Sequence, residues 1–305
     1  MNDAPSSLAR AADAPDDDVW SILRMILWSA EYLGGKGVET GRLDAEHLLA
    51  HVLGMQRLQL YLQYERPLTP DELDAYRPLL KRRAAREPLQ HIVGVQPFRE
   101  LDLEVDGSVL VPRPETEVLV QAVLDWAKES GRPDLQALDV GTGSGAIALS
   151  LALEGPFARV LATDVDEGAL RMARKNRASA GLDERVELRP GDLFQALGDD
   201  ERFDVVVSNP PYIPEGEADG LQPEVREWEP RRALFGGTDG LDVFRGLVDG
   251  ASRHVVPGGL LALEVGLGQA PAVVELIQIT EKYDVPRVLR DYSGRERFVL
   301  AHGRR

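Results

Sequence analysis

The chain of 305 residues contains no cysteine. Without thiols it forms no disulfide, offers no thiolate to a metal and has no cysteine nucleophile. It has no stretch approaching the roughly 18 consecutive apolar residues of a membrane span. The opening MNDAPSSLARAADAPDDD is acidic and rich in small side chains. It lacks the basic start and apolar run of a signal peptide, so residues 1–17 are expected to form a disordered leader and the location is expected to be cytoplasmic. Positive charge is scarce: 35 Lys+Arg stand against 51 Asp+Glu, a formal net charge of −16. Residues 1–90 hold 11 Lys+Arg against 14 Asp+Glu, and the remainder 24 against 37. That surface repels phosphate backbones, the reverse of proteins that track duplex DNA. It suits either simple solubility or a partner with a basic patch. No internal repeat is present.

What is present reads as an ordinary globular composition, 43% hydrophobic and 28% charged, long enough for about two domains. Residues 18–90 are expected to be a helical domain. Ile22, Leu23, Ile26, Leu27 and Leu33 recur at helical spacing, as do Leu43, Leu48, Leu49, Val52 and Leu53, with Gly54 as the stop. A third helix begins at Thr69-Pro70-Asp71-Glu72, a cap followed by proline and acids, and ends in the basic run from Lys81 to Arg86. Residues 91–112 carry short β-like runs broken by glycine and proline, and read as a hairpin-bearing linker. From Pro133 onward, strands such as ALDVG, RVLATDV, FDVVVSN and GGLLALEV alternate with helical segments. Alternation of this kind predicts an α/β domain with a parallel sheet covered on both faces. The last two strands, across DYSGRE, are expected to be antiparallel.

Two segments carry chemistry. The first predicted strand runs into Asp139-Val140-Gly141-Thr142-Gly143-Ser144-Gly145-Ala146. Glycines there let a ligand lie against a helix N-terminus without Cβ atoms in the way. The next strand ends at Asp164, 19 residues after Gly145, where a carboxylate can accept ribose hydroxyls. Loop, strand context and acid together indicate a nucleoside site rather than a plain tight turn, although the letters also satisfy a dinucleotide pattern. Asp192 and Leu193, at a further strand end, are candidates for the adenine side. Taken alone, Asp192 reads more simply as a turn residue.

The second segment is Asn209-Pro210-Pro211-Tyr212, at the end of the strand from Phe203. Asn-Pro-Pro is usually only a turn. Here it lies at the carboxyl edge of the sheet, next to the glycine loop. An amide or aromatic amine nitrogen is a poor nucleophile because its lone pair is delocalised. Acceptors on both its hydrogens, the Asn209 side-chain oxygen and the Pro210 carbonyl, would hold it in line and weaken its planarity. The prolines fix φ and so aim that carbonyl. Tyr212 offers a flat face for stacking. His47 and His51, four apart on a helix, read as a helix-face pair because no third ligand is evident. Lys81, Arg82 and Arg83 read as a solvated helix end rather than an RNA patch. Glu264, after an apolar strand near the same edge, reads as a buried acid that could tune the site.

In this order, the glycine loop, Asp164 and NPPY resemble class I methyltransferases that act on exocyclic or amide nitrogens. The segments RLDAEHLLAHVLG, RRAAREPLQHIVG, VLVPRPETE, WEPRRALFGGTDGL, GGLLALEVG and DYSGRERFV resemble the peptide chain release factor N(5)-glutamine methyltransferases over about residues 40–302. The resemblance implies a Rossmann-like seven-stranded methyltransferase domain over 113–305, after the helical domain and hairpin linker. It implies methylation, with S-adenosylmethionine as donor and S-adenosylhomocysteine as product, of the glutamine in the Gly-Gly-Gln tip of bacterial class 1 release factors. By position, Gly141, Thr142, Gly143, Ser144, Gly145, Asp164, Asp192, Leu193 and Asn209 would hold the cofactor. Asn209, Pro210, Pro211 and Tyr212 would hold the glutamine, with Asn209, Pro210 and Tyr212 catalytic. Leu193 stands where some relatives carry an aromatic, and Phe194 is the candidate to compensate. Arg113 to Thr116 is a helix start that the resemblance also brings to the site border. Neither a membrane nor a nucleic acid is expected as partner. The competing readings are a ribosomal-protein glutamine methyltransferase, an adenine N(6) methyltransferase, which would need a basic recognition surface, and a non-catalytic cofactor-binding scaffold.

Overall fold

The computed structural model describes residues 19–304, so the leader expected at 1–17 lies outside the described residues. The chain divides into two compact units between Val93 and Gly94.

The first unit is helical: α1 (Ile22–Gly34), α2 (Gly41–Leu53), α3 (Arg57–Leu62), α4 (Pro70–Ala84) and α5 (Leu89–Val93). The apolar stripe of α1 runs Ile22, Met25, Ile26, Leu33 and leaves Leu27 exposed. Thr69 caps α4 as its sequence implies. Its hydroxyl accepts from the Glu72 N–H at 3.3 Å, and the Glu72 carboxylate accepts from the Thr69 N–H at 2.8 Å. The basic end of α4 is not wholly solvated. Arg83 is buried and pairs with buried Asp44 at 2.7 Å, because the helix turns that side chain onto α2. Such a pair must be complete, since removal of one partner leaves a buried charge.

The second unit begins with the hairpin β1 (Val95–Phe98) and β2 (Leu101–Glu104), whose Phe98 and Leu103 are buried in the unit's own core. Then come α6 (Pro114–Ser130), β3 (Leu135–Val140), α7 (Ala146–Glu154), β4 (Phe157–Asp164), α8 (Glu167–Ser179), β5 (Val186–Pro190) and β6 (Phe203–Ser208). After β6 a 3₁₀ turn (Glu215–Gly220) and two short helices, α9 (Pro223–Trp228) and α10 (Arg231–Leu234), precede α11 (Asp242–His254), β7 (Val255–Glu264), α12 (Ala270–Ile279), β8 (Arg287–Arg290) and β9 (Glu296–His302).

The seven-stranded sheet has the order β5-β4-β3-β6-β7-β9-β8. It is parallel except for β9, which pairs antiparallel with both β7 and β8. Because side chains alternate along a strand, the sheet feeds two cores. Ala137, Val160, Val205 and Leu260 face α6 and α7. Leu138, Leu161, Val206 and Leu261 face α11 and α12. Strand order reverses between β3 and β6, and such a reversal opens a crevice at the carboxyl ends of the two strands. The glycine loop leaves the end of β3 and NPPY leaves the end of β6.

Candidate active site

The glycine loop is tied down by its own backbone and by the strand beside it. The N–H groups of Gly141 and Thr142 both donate to the Thr163 carbonyl, at 2.9 and 3.0 Å. The Thr142 hydroxyl donates to Asp139 Oδ2 at 2.6 Å, and Asn176 of α8 donates to the Ser144 carbonyl at 2.9 Å. Burial pushes the Asp139 carboxyl up to about 7, against the pull of Thr142 and the Ala148 N–H. Gly143 has φ +57°, and a Cβ placed on it would meet nothing within 4 Å. Its left-handed conformation favours glycine, and the space beside it is open. Asp164 accepts from the Gly143 N–H at 2.9 Å and from the Asp166 N–H at 2.9 Å. Burial raises its carboxyl despite those bonds.

The crevice is a cavity of about 430 Å³, within the range of small-molecule sites. Gly141, Thr142, Gly143, Ser144, Asp164, Asp192, Leu193, Asn209, Pro210 and Pro211 all line it. Gly145 and Tyr212 are not among its lining residues. Gly145 instead holds the N-cap of α7. Tyr212 packs against the core on the α11 side. Its hydroxyl accepts from Arg297 at 2.9 Å, and the Arg297 guanidinium lies 5.2 Å from its ring centroid. Burial, then the nearby Glu264 charge, raises the Tyr212 phenol.

Leu193 adopts φ +51°, uncommon for a leucine, and reaches α11 at Gly246, where a Cβ would sit 2.4 Å from it. Phe194 does not cover the cavity. It stacks on His254 at 5.3 Å and fills the space over Gly250. Of these two residues only Leu193 lines the cavity.

Asn209 is held from behind. Its Nδ2 donates to the Thr116 hydroxyl at 3.2 Å, and that hydroxyl donates to Glu264 Oε2 at 2.7 Å. Its Oδ1 is buried with no hydrogen-bond partner among the described residues, an arrangement native structures rarely keep without a use. Ser208 anchors the strand end by donating to the Val140 carbonyl at 2.6 Å, which fixes the NPPY turn beside the glycine loop.

The segment after NPPY supplies a further wall, with Pro230, Arg232, Ala233 and Phe235. Ile213 donates to the Leu234 carbonyl and Gly236 to the Ile213 carbonyl, so the excursion returns to its start. A Cβ on Gly236 would sit 2.5 Å from the Pro211 carbonyl, so only glycine permits this approach. Arg113 pairs with buried Glu229 at 2.6 Å and brings the Val109–Pro112 stretch into the wall. Burial raises the Glu229 carboxyl and Arg113 opposes it. In the sequence these walls are marked only by the VLVPRPETE and WEPRRALFGGTDGL segments.

Known proteins with related sequences bear on this geometry. The PrmC N-terminal domain family matches residues 24–94, and the methyltransferase small domain family matches residues 115–222. The chain is 47% identical over 282 residues to the release factor glutamine methyltransferase of Geobacter sulfurreducens, covering 92% of this chain and 96% of that protein. It is 39% identical over 290 residues to the release factor glutamine methyltransferase of Rhodopirellula baltica, covering 94% and 98%. Among solved structures it is similar in fold to a methyltransferase from Pyrococcus furiosus, with a TM-score of 0.51 and 22% identity over 68% of this chain and 90% of that one.

Proposed function

Because the chain belongs to the release factor glutamine methyltransferase family, we propose that it methylates the amide nitrogen of the glutamine in the Gly-Gly-Gln tip of a bacterial class 1 release factor. The observation that carries this reading is that Asn209 lines the same cavity as the glycine loop while its buried Oδ1 has no hydrogen-bond partner among the described residues.

The residues fit S-adenosylmethionine. The open side of Gly143 leaves room for close approach of a ligand to the backbone. Gly141 to Ser144, Asp164, Asp192 and Leu193 would hold it, with Asp164 accepting from ribose hydroxyls. When bound, this cofactor supplies an electrophilic methyl group on a sulfonium. The protein's task is to present the acceptor nitrogen. Asn209 Oδ1 and the Pro210 carbonyl accept from the two hydrogens of the substrate carboxamide, orient its nitrogen and weaken its resonance. No strong base is called for, since positioning supplies much of the rate. Tyr212 acts here from behind the turn. Gln269 donates to its backbone carbonyl at 2.8 Å and Arg297 to its hydroxyl, so it braces NPPY.

The helical unit up to Val93 is proposed to recognise the release factor, and the site of action is then the cytoplasm. Among the described residues, no helix is long and apolar enough to cross a membrane. The test is incubation of the protein with isotopically labelled S-adenosylmethionine and, in separate reactions, purified release factors, ribosomal proteins and DNA. Peptide mass spectrometry is expected to place the label on the Gly-Gly-Gln glutamine. Label on a ribosomal-protein glutamine or on adenine would replace this reading with the corresponding alternative.

A further inference from the structure

We infer that Thr116, Glu264 and Arg297 form a positioning relay that dictates which end of the Asn209 carboxamide faces the cavity. The inference rests on the reading above, in which Asn209 Oδ1 accepts from the substrate amide.

The four residues come from separate elements: Thr116 from the first turn of α6, Glu264 from the end of β7, Arg297 from β9 and Asn209 from the turn after β6. Thr116 and Glu264 are buried, Glu264 completely. Arg297 donates to Glu264 Oε1 at 3.4 Å, and the Thr116 hydroxyl donates to Oε2 at 2.7 Å. Asn209 Nδ2 completes the chain at 3.2 Å from Thr116 Oγ1.

A carboxamide has two ends of nearly equal size, and packing does not tell them apart. Hydrogen-bond polarity does. A carboxylate only accepts, so ionised Glu264 takes the single proton of the Thr116 hydroxyl. That hydroxyl then has only lone pairs left for Asn209, and only Nδ2 can satisfy them. Oδ1 is thereby turned toward the cavity as an acceptor. Protonated Glu264 can donate to Thr116 instead. Thr116 is then free to turn its proton to Asn209, which rotates so that Oδ1 points inward and Nδ2 faces the substrate. Two NH2 groups facing one another cannot bond, and the grip on the substrate nitrogen is lost.

The groups that face Glu264 set its charge. Arg297 from β9 and Arg113 at the start of α6 favour the carboxylate, Thr116 supports it with its hydrogen bond, and Glu115 opposes it. Tyr212, after β6, shares Arg297. Burial outweighs the favourable groups and lifts the Glu264 carboxyl to about 7. The orientation is therefore secured above neutrality and released below it.

Glu264→Gln should impose the wrong polarity at every pH. Its amide oxygen pairs with Arg297, its NH2 donates to Thr116, and the Thr116 proton turns to Asn209. The experiment measures kcat and KM of the full chain on a purified release factor from pH 5.5 to 9, with S-adenosylhomocysteine affinity by calorimetry. Wild-type kcat is expected to fall as pH drops through about 7. Glu264→Gln should lower kcat at pH 8 on the order of a hundredfold, as loss of one preorganised group does elsewhere, and remove the acid limb. KM and calorimetric affinity should stay within about twofold, a difference small against the tenfold that 1.4 kcal/mol represents. Thr116→Val, which has no hydroxyl, should lower kcat similarly, and Thr116→Ser should restore most of it. Either Glu264→Gln or Thr116→Val with wild-type kcat and acid limb overturns the relay, and so does Thr116→Ser as impaired as Thr116→Val. A fall in cofactor affinity that matches the fall in kcat overturns it in favour of simple packing. A wild-type protein that leaves the glutamine unmodified overturns the substrate reading and the relay together. Wild-type transfer with unaltered variants overturns the relay alone.

Discussion

The glycine loop and the Asn209 turn face the same cavity but are supported in different ways. The loop holds itself through Asp139, Thr142 and the Thr163 carbonyl at the end of the neighbouring strand. Asn209 leans on Thr116 and Glu264, 93 and 55 positions away in the chain, and on Arg297 beyond them. Each side has one fully buried carboxyl that burial lifts to about 7, Asp139 beneath the loop and Glu264 behind Asn209. Consecutive residues build the loop from local bonds, whereas the Asn209 side chain takes its supports from several elements.

That contrast is sharpest if the two sides fail separately. Asn209→Ala is expected to lower kcat by roughly a hundred- to thousandfold, as loss of one transition-state contact does in other enzymes. Calorimetric affinity for S-adenosylhomocysteine should change little. Equal losses in both quantities would merge the two sides into one.

Asp164→Ala should do the converse. Removal of an acceptor paired with a polar ligand costs about 1.5–3 kcal/mol, which weakens cofactor affinity by roughly ten- to a hundredfold. At saturating cofactor kcat should approach the wild-type value. Unchanged affinity would take Asp164 out of the cofactor side.

Gly236→Ala probes the distant support of the Asn209 turn without touching its side chain. The added methyl would press on the Pro211 carbonyl from 2.5 Å. Overpacking of that kind costs about 1–3 kcal/mol, read as a lowered urea midpoint together with reduced kcat and near-normal cofactor affinity. A variant as active and stable as wild type would show the turn to be less constrained than its contacts imply.

A further expected effect, on stability and not on turnover, concerns Asp139. Its folded-state value of about 7 lies above the ordinary 3.8. The native chain therefore binds the extra proton between those values, and stability from this group is present below about 3.8 and lost as pH rises through about 7. Asp139→Asn, which cannot ionise, should gain on wild type over that window by up to about 1.4 kcal/mol per pH unit, as measured by urea unfolding at several pH values. A gap between the two proteins that stays constant from pH 4 to 7 would contradict a raised Asp139.

The glycine loop was readable from the chain because it consists of consecutive residues whose conformation is local. Asp164 could be found for a similar reason: it ends the next strand, and strand-end acids at that spacing fall beside the loop. NPPY was recognisable as chemistry, but its geometry was not. The expectation that Tyr212 lies flat against the substrate came from residue type. In the structure its ring is turned toward Arg297 and the core. Phe194 likewise looked like a cover for the adenine, yet the absence of side chains at Gly246 and Gly250 lets Leu193 and Phe194 pack onto α11. Arg83 looked like a solvated helix end until its partner Asp44, 39 positions away, was brought to it.

The alternation of apolar residues, the caps and the glycine and proline turns determined from the sequence alone that this chain builds helices followed by an α/β domain with a largely parallel sheet, because those signals act over a few bonds. Which buried acid stands behind Asn209, and which way that side chain turns, only the tertiary structure decided. Hydrogen-bond polarity in a dry interior depends on partners that chain connectivity does not place side by side.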